Sequence, residues 1–147
     1  MGYEIFKANS DHFDDMFDLH ASCFEGNELM TKALFVEEVK NPTRVYFVVL
    51  NEGKVVGYAG AWNTGSDYSI ISVATDVNHR RKGVARKLLR RLILDAEEKN
   101  INALSLEVNE HNEPAIELYR SLGFITTNVR PNYYKDKTSA YIMWLYL

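Results

Sequence analysis

The sequence predicts an α/β chain of the α+β kind, with one mixed, mostly antiparallel sheet and helices on both faces. Two β-rich runs, residues 45–50 and 54–62, flank Asn51-Glu52-Gly53, which is hairpin chemistry. A 3.6-residue stripe of Ala85, Leu88, Leu89, Leu92, Ile93 and Ala96 marks a long helix that must lay its apolar side on a sheet. That helix lies between apolar runs at 69–76 and 104–108, so strand, helix and strand form one crossover with its flanking strands parallel.

The remaining elements fall into place around this frame. Residues 3–8 read as a first strand, and 11–23 as a helix with Phe13, Met16, Phe17, His20 and Ala21 near one face and Asp11 as its cap. A second helix is expected over 28–39, stopped by Asn41-Pro42 because the residue before proline avoids helical angles. Strands at 45–50, 54–62 and 69–76 then make an antiparallel meander, followed by the helix 84–99 and a short buried strand at 104–108. A fourth helix opens on Asn112 as cap, tolerates Pro114 in its first turn and closes at Gly123. Strands at 124–128 and 141–147 finish the sheet across the polar loop Lys135-Asp136-Lys137. No repeat, low-complexity tract or linker interrupts the chain, and residues 1–147 read as one domain.

With 46% hydrophobic and 25% charged residues in 147, the chain has enough apolar material for a proper core. Its net charge is −3, yet seven of the 17 Lys and Arg residues fall between Arg80 and Arg91. Such a local concentration favours a small anionic ligand over a direct nucleic-acid partner, which would want a broadly basic surface. Cys23 is the sole cysteine, which excludes an internal disulfide and suits the cytoplasm. No apolar run approaches a membrane span, and the first residues lack signal-peptide character. The four His at 12, 20, 79 and 111 show no metal-ligand spacing, so no metal is expected.

The most informative stretch is Arg80-Arg81-Lys82-Gly83-Val84-Ala85. A strand that ends in a turn with a flexible Gly and then opens a helix leaves several backbone N–H groups unpaired and pointing one way. The helix dipole adds positive character there, and the basic side chains crowd around it, so a polyanion such as a pyrophosphate is the natural guest. Walker A and G-x-G-x-x-G patterns are both absent, and a solvated helix end would explain a lone Gly equally well.

Downstream residues decide the matter by resemblance. Arg80-x-x-Gly83-x-Ala85, Leu104-Ser-Leu-Glu107-Val and Asn112-x-x-Ala115-Ile-x-Leu-Tyr119-x-x-Leu-Gly123-Phe124 together resemble the GCN5-related N-acetyltransferase (GNAT) family. Within it, Arg130-Pro131-Asn132-Tyr133-Tyr134 is similar to the Arg-x-Asn-Tyr-Tyr of the RimI-type enzymes, which acetylate the N-terminal alanine of small-subunit ribosomal protein S18. The resemblance implies a GNAT fold in which parallel strands four and five splay into a slot for acetyl-CoA. Val73, Ala74 and Thr75 would pair with the pantetheine arm, the 80–85 loop would hold the pyrophosphate, and Asn112 would contact the cosubstrate. It also implies a protein N-terminus as acceptor, with Tyr133 and Tyr134 walling its site.

Acetyl transfer from a thioester to an amine needs a deprotonated amine and a proton for the departing thiolate. An α-amino group with a pKa of about 7.7–8.0 needs only a mild base. Glu107 stands in an apolar strand, where partial burial would raise its pKa; alternation instead turns it to solvent with Ser105. The RimI likeness makes it the general base, with His111 or a water as rivals. Tyr119 reads either as a packed aromatic or, by the same likeness, as the general acid. Direct attack in a ternary complex follows, because Cys23 reads as a core or boundary residue rather than an acyl carrier.

The chain departs from the RimI pattern at Phe24-Glu25-Gly26-Asn27, where many of those enzymes have Phe-Pro-Trp. A GNAT enzyme acting on a small amine or a lysine side chain is the neighbouring alternative. A non-catalytic nucleotide- or RNA-binding module is the distant one, in which Glu107 and Tyr119 would be idle.

Overall fold

Hairpin chemistry sets the middle of the sheet. The computed structural model of the chain describes residues 2–147, apart from the side chain of Asn27. Strand β2 (Arg44–Asn51) and strand β3 (Lys54–Asn63) join through Glu52 and Gly53, both at positive φ, as a two-residue turn of this kind requires. Around them stand β1 (Glu4–Lys7), β4 (Asp67–Thr75), β5 (Ala103–Asn109), β6 (Ile125–Arg130) and β7 (Ala140–Tyr146), in the spatial order β1-β2-β3-β4-β5-β7-β6. Every pairing is antiparallel except β4 with β5.

Helix α1 (Phe13–Cys23) and helix α2 (Lys32–Lys40) cover one face, where Met16, Leu19 and Phe35 meet Tyr46, Val48, Tyr58 and Ala74. Helix α3 (Val84–Glu98) and helix α4 (Glu113–Ser121) cover the other, where Leu88, Leu92 and Ile116 meet Phe47, Leu104, Leu106 and Met143. The expected stripe of α3 is the buried one: Leu88, Leu89, Leu92 and Ala96 are fully enclosed, each leucine worth about 1.5–3 kcal/mol against exposure. The helix seats closely because β3 carries Gly57 beneath it. A Cβ there would stand 2.5 Å from Cγ1 of Val84.

The parallel pair is short. Asp67, Tyr68 and Ser69 pair with Ala103, Leu104 and Ser105, and there the pairing stops. Tyr68 donates its hydroxyl proton to Asp95 at 2.6 Å, and Lys99 lies 3.0 Å from the same carboxylate, so the closed end of the strand pair is fastened to α3. Beyond Ser69 the strands diverge, which is the splay expected by resemblance.

Several boundaries differ from the sequence reading. Asp11 does not cap α1: Asn9 caps a preceding 3-10 turn at Ser10–His12, accepting from the Asp11 N–H at 2.9 Å while His12 Nδ1 accepts from the Asn9 N–H at 3.1 Å. Leu19, not Ala21, completes the buried face of α1. Helix α2 starts at Lys32, because Thr31 accepts the Leu34 N–H at 3.2 Å and the preceding Gly26–Glu28 forms a separate 3-10 turn. Strand β6 runs on to Arg130, which puts that arginine on the sheet and not in the following loop.

Candidate active site

The cradle forms as one continuous local structure. Asp76 accepts the Asn78 N–H at 2.8 Å and turns the chain after β4, and Arg80 Nε donates to the Thr75 carbonyl at 3.2 Å. Arg81 at φ 62° and Gly83 at φ 84° then reverse the backbone into α3. The N–H of Lys87 bonds to the Gly83 carbonyl at 3.0 Å, so the N–H groups of the first turn ahead of it have no helical acceptor. A Cβ built on Gly83 would meet nothing within 4 Å, so this donor-rich turn faces open space that a phosphate group can fill. The residues present therefore fit a pyrophosphate.

That space is a cavity of ≈ 690 Å³ whose walls include Val73, Ala74 and Thr75 on β4, Arg80, Arg81, Gly83, Val84 and Ala85 in the cradle, and Asn112 and Tyr119. Lys82 stands in the same loop but off the wall. Val73, Ala74 and Thr75 pair with β3 on one side and face the splay on the other.

A second cavity, ≈ 1030 Å³, opens beyond the splay. Phe24, Glu25, Gly26 and Glu28, which link α1 to α2, form one wall; Glu107, Tyr133 and Tyr134 form the opposite one. The two cavities share Phe24, Val73, Asn112 and Tyr119, so they meet through the gap between β4 and β5. Tyr119 on α4 packs against Phe124 with ring centroids 6.0 Å apart, and burial pushes its phenol pKa up, which keeps the proton on oxygen at neutral pH. Asn112 caps α4, its Oδ1 accepting the Ala115 N–H at 3.4 Å.

Glu107 stands where strand alternation sends it, on the open face of β5, with its side chain 40% exposed. The open face is the cavity wall. Its partner there is Arg130, with Nη1 3.6 Å away and a guanidinium carbon 5.5 Å from the Tyr133 ring centre. Tyr133 and Tyr134 meet edge to face at 5.1 Å, and the Tyr134 phenol pKa is raised, first by burial and then by the Glu107 charge. His111 is exposed beside Glu110 at 3.7 Å and lies on neither cavity wall.

A carboxylate and a protonated phenol thus line one through-going passage, with an anion cradle at one mouth. The sequence profile of the acetyltransferase (GNAT) family matches residues 13–124. The chain belongs to the GNAT family of acetyltransferases. It is 34% identical over 134 residues to a Bacillus subtilis protein that carries the name ribosomal protein bS18-alanine N-acetyltransferase in provisional form, covering 90% of this chain and 87% of that one. It is 33% identical to the N-alpha-acetyltransferase RimI of Mycobacterium tuberculosis, over 86% and 81% of the two chains. The crystal structure of the ribosomal-protein-S18-alanine N-acetyltransferase from Escherichia coli superposes with a TM-score of 0.89 at 26% identity, covering 99% and 94%.

Within this GNAT site four residues have no role in the sequence reading. Arg130 opens the 130–134 segment, and the run-on of β6 brings it to Glu107. Glu25 and Glu28 come from a segment read partly as helix, and their polar character before a Thr cap was the available signal. Cys23, read as a core or boundary residue, is half-buried as that allows, and it lies on the cradle-side wall, 3.6 Å from the Thr75 carbonyl.

Proposed function

We propose that this GNAT protein is an acetyl-CoA-dependent Nα-acetyltransferase whose acceptor is the N-terminal alanine of small-subunit ribosomal protein S18. The observation that carries the reading is the meeting of the two cavities at Tyr119 and Asn112, with Glu107 on the far side and the Gly83 cradle on the near side. Two substrates entering from opposite mouths would face one another there, which supports direct attack in a ternary complex over an acyl-enzyme route. Acetyl-CoA supplies the acetyl group as a thioester. The edge of β4 that faces the splay along Val73–Thr75 suits an amide-bearing arm, and the N–H groups and basic side chains of the 80–86 turn suit the pyrophosphate.

Each proton has a holder. The Glu107 carboxylate takes one from the incoming amine, directly or through a water, and Arg130 fixes its orientation from 3.6 Å. Tyr119, held protonated by burial, gives one to the departing sulfur. Exchange with solvent through the open acceptor mouth then returns both groups to their starting states. The names of the relatives and the Arg130-Pro131-Asn132-Tyr133-Tyr134 segment support ribosomal protein S18 as the acceptor. The lone thiol suits a cytoplasmic enzyme, and no described helix is long and apolar enough to cross a membrane.

Mass spectrometry of an Ala-starting peptide copied from the mature ribosomal protein, incubated with acetyl-CoA, tests the reading. Acetylation at the α-amine alone is expected, and blocking that amine should end the reaction even when internal lysines remain. Turnover of the blocked peptide, or of small polyamines only, would overturn the acceptor assignment and leave the family intact.

A further inference from the structure

One buried titratable side chain has no part in the chemistry above. His20, in α1, is 3% exposed, with its ring centre 6.1, 5.0 and 4.9 Å from those of Phe17, Phe24 and Phe35. Both of its nitrogens are engaged. The Met30 N–H donates to Nε2 at 3.0 Å, so Nε2 carries the lone pair; the ring proton is therefore on Nδ1 and is donated to the Tyr58 hydroxyl at 3.1 Å. The neutral ring joins β3, in the middle of the sheet, to the segment that links α1 and α2.

That segment forms a wall of the acceptor cavity through Phe24, Glu25, Gly26 and Glu28. Its backbone bonds are local: Phe24 N–H to the His20 carbonyl, Glu28 N–H to that of Glu25, Leu29 N–H to that of Gly26. Among the described side chains, His20 makes the one hydrogen bond that ties residues 25–30 to the rest of the fold. The ring of Phe24, on the same wall, leans against it. No hydrogen bond of His20 reaches the Gly83 cradle, which hangs from β4 through Arg80 and from the residue before β1 through the 2.9 Å contact of Tyr3 with His79.

We infer that His20 is a positioning residue for the acceptor: by holding the Met30 amide and the Phe24 ring it sets the wall against which the acceptor N-terminus docks, without touching the acceptor itself. The inference rests on the acceptor reading proposed above. It assigns to His20 a role in acceptor fit exerted through the segment 25–30, which lines the acceptor cavity and not the cradle side.

Two variants test it. His20→Phe keeps a ring among three phenylalanines and removes both hydrogen bonds; His20→Gln retains an acceptor and a donor. In steady-state assays with the Ala-starting peptide, His20→Phe should raise the acceptor KM about tenfold while kcat and the acetyl-CoA KM stay within about twofold, and His20→Gln should recover most of the loss. An unchanged acceptor KM, an equal rise in both KM values, or no recovery in His20→Gln would overturn the positioning role. Should His20→Phe fail to fold, His20→Leu also removes the bond to the Met30 amide, and an unchanged acceptor KM there is equally decisive against it. Should the wild-type protein acetylate no peptide N-terminus, the functional reading fails by itself. Amide exchange then decides on His20: faster exchange across residues 24–28 in His20→Phe, with β3 unchanged, supports its hold on the wall, and unchanged exchange refutes it.

Discussion

The two mouths of the passage are built in different ways. The core of the cradle side comes from one continuous stretch, residues 73–86, which offers strand edges facing the splay, free N–H groups and a left-handed glycine, while Cys23, Phe24 and α4 only complete its wall. The acceptor side is gathered from three distant segments, around residues 24–28, 107–109 and 133–136, and offers mainly side chains. Backbone donors suit a cosubstrate that never changes, while side chains on separate segments can be exchanged one at a time to suit an acceptor. Binding defects should therefore sort by side, and chemical defects should sit where the sides meet.

The largest effect is expected at that meeting point. Glu107→Gln should lower kcat by about 10²–10⁴ with acetyl-CoA affinity unchanged, and the rate should recover towards high pH as the amine loses its own proton. A wild-type pH profile in this variant would move the base to a water. Tyr119→Phe should cost about 10² in kcat, again without weakening either substrate, as steady-state kinetics would read. Both results would mark the shared wall as chemical rather than as part of either mouth.

Next come the variants that separate the mouths. Gly83→Val forces a β-branched residue to φ 84°, a strain of about 1–3 kcal/mol. Calorimetry should show acetyl-CoA binding weakened tenfold or more, with the acceptor KM unmoved; unchanged affinity would remove the cradle from the site. Arg130→Ala should do the converse on a smaller scale. Its pair with Glu107 is half-exposed and worth about 0–1 kcal/mol, so the melting temperature should hold while the acceptor KM rises a few-fold.

The smallest effect concerns acid. Burial lowers the pKa of His20 below its ordinary 6.5, so the folded ring refuses a proton that the unfolded chain accepts. Stability should be level above pH 6.5 and fall as the pH drops below it, a slope that thermal melts of His20→Gln should no longer show.

How much of this was readable in the chain follows the same division. The βαβ crossover, the stripe of α3 and the Gly83 turn are local signals, so their residues announce themselves. Alternation also placed Glu107 correctly on the open face of β5. What alternation cannot say is that this face is the wall of a cleft, because the splay depends on where a pairing with a strand 36 residues earlier in register gives out. Helix α2 starts later than the expected residue 28 because Gly26–Glu28 closes into its own 3-10 turn and the Thr31 hydroxyl decides the cap. The link from His20 to Met30 spans only ten residues, yet a histidine on an apolar helix face carries no mark of which amide it will hold.

Gly57 gives the cradle a remote sponsor. It lies on the opposite side of β4 from the splay, and its missing methyl group is what lets Val84 and Leu88 settle onto β3. Val84 directly follows Gly83, so the height of the Gly83 turn above the sheet is governed from the neighbouring strand, like a shelf set by a peg in the wall behind it. Adding a single carbon at position 57 would lift the shelf while leaving every cradle residue in the chain unaltered. A change of that kind would pass for a ligand-contact lesion in any binding assay, although the substituted residue never meets the ligand.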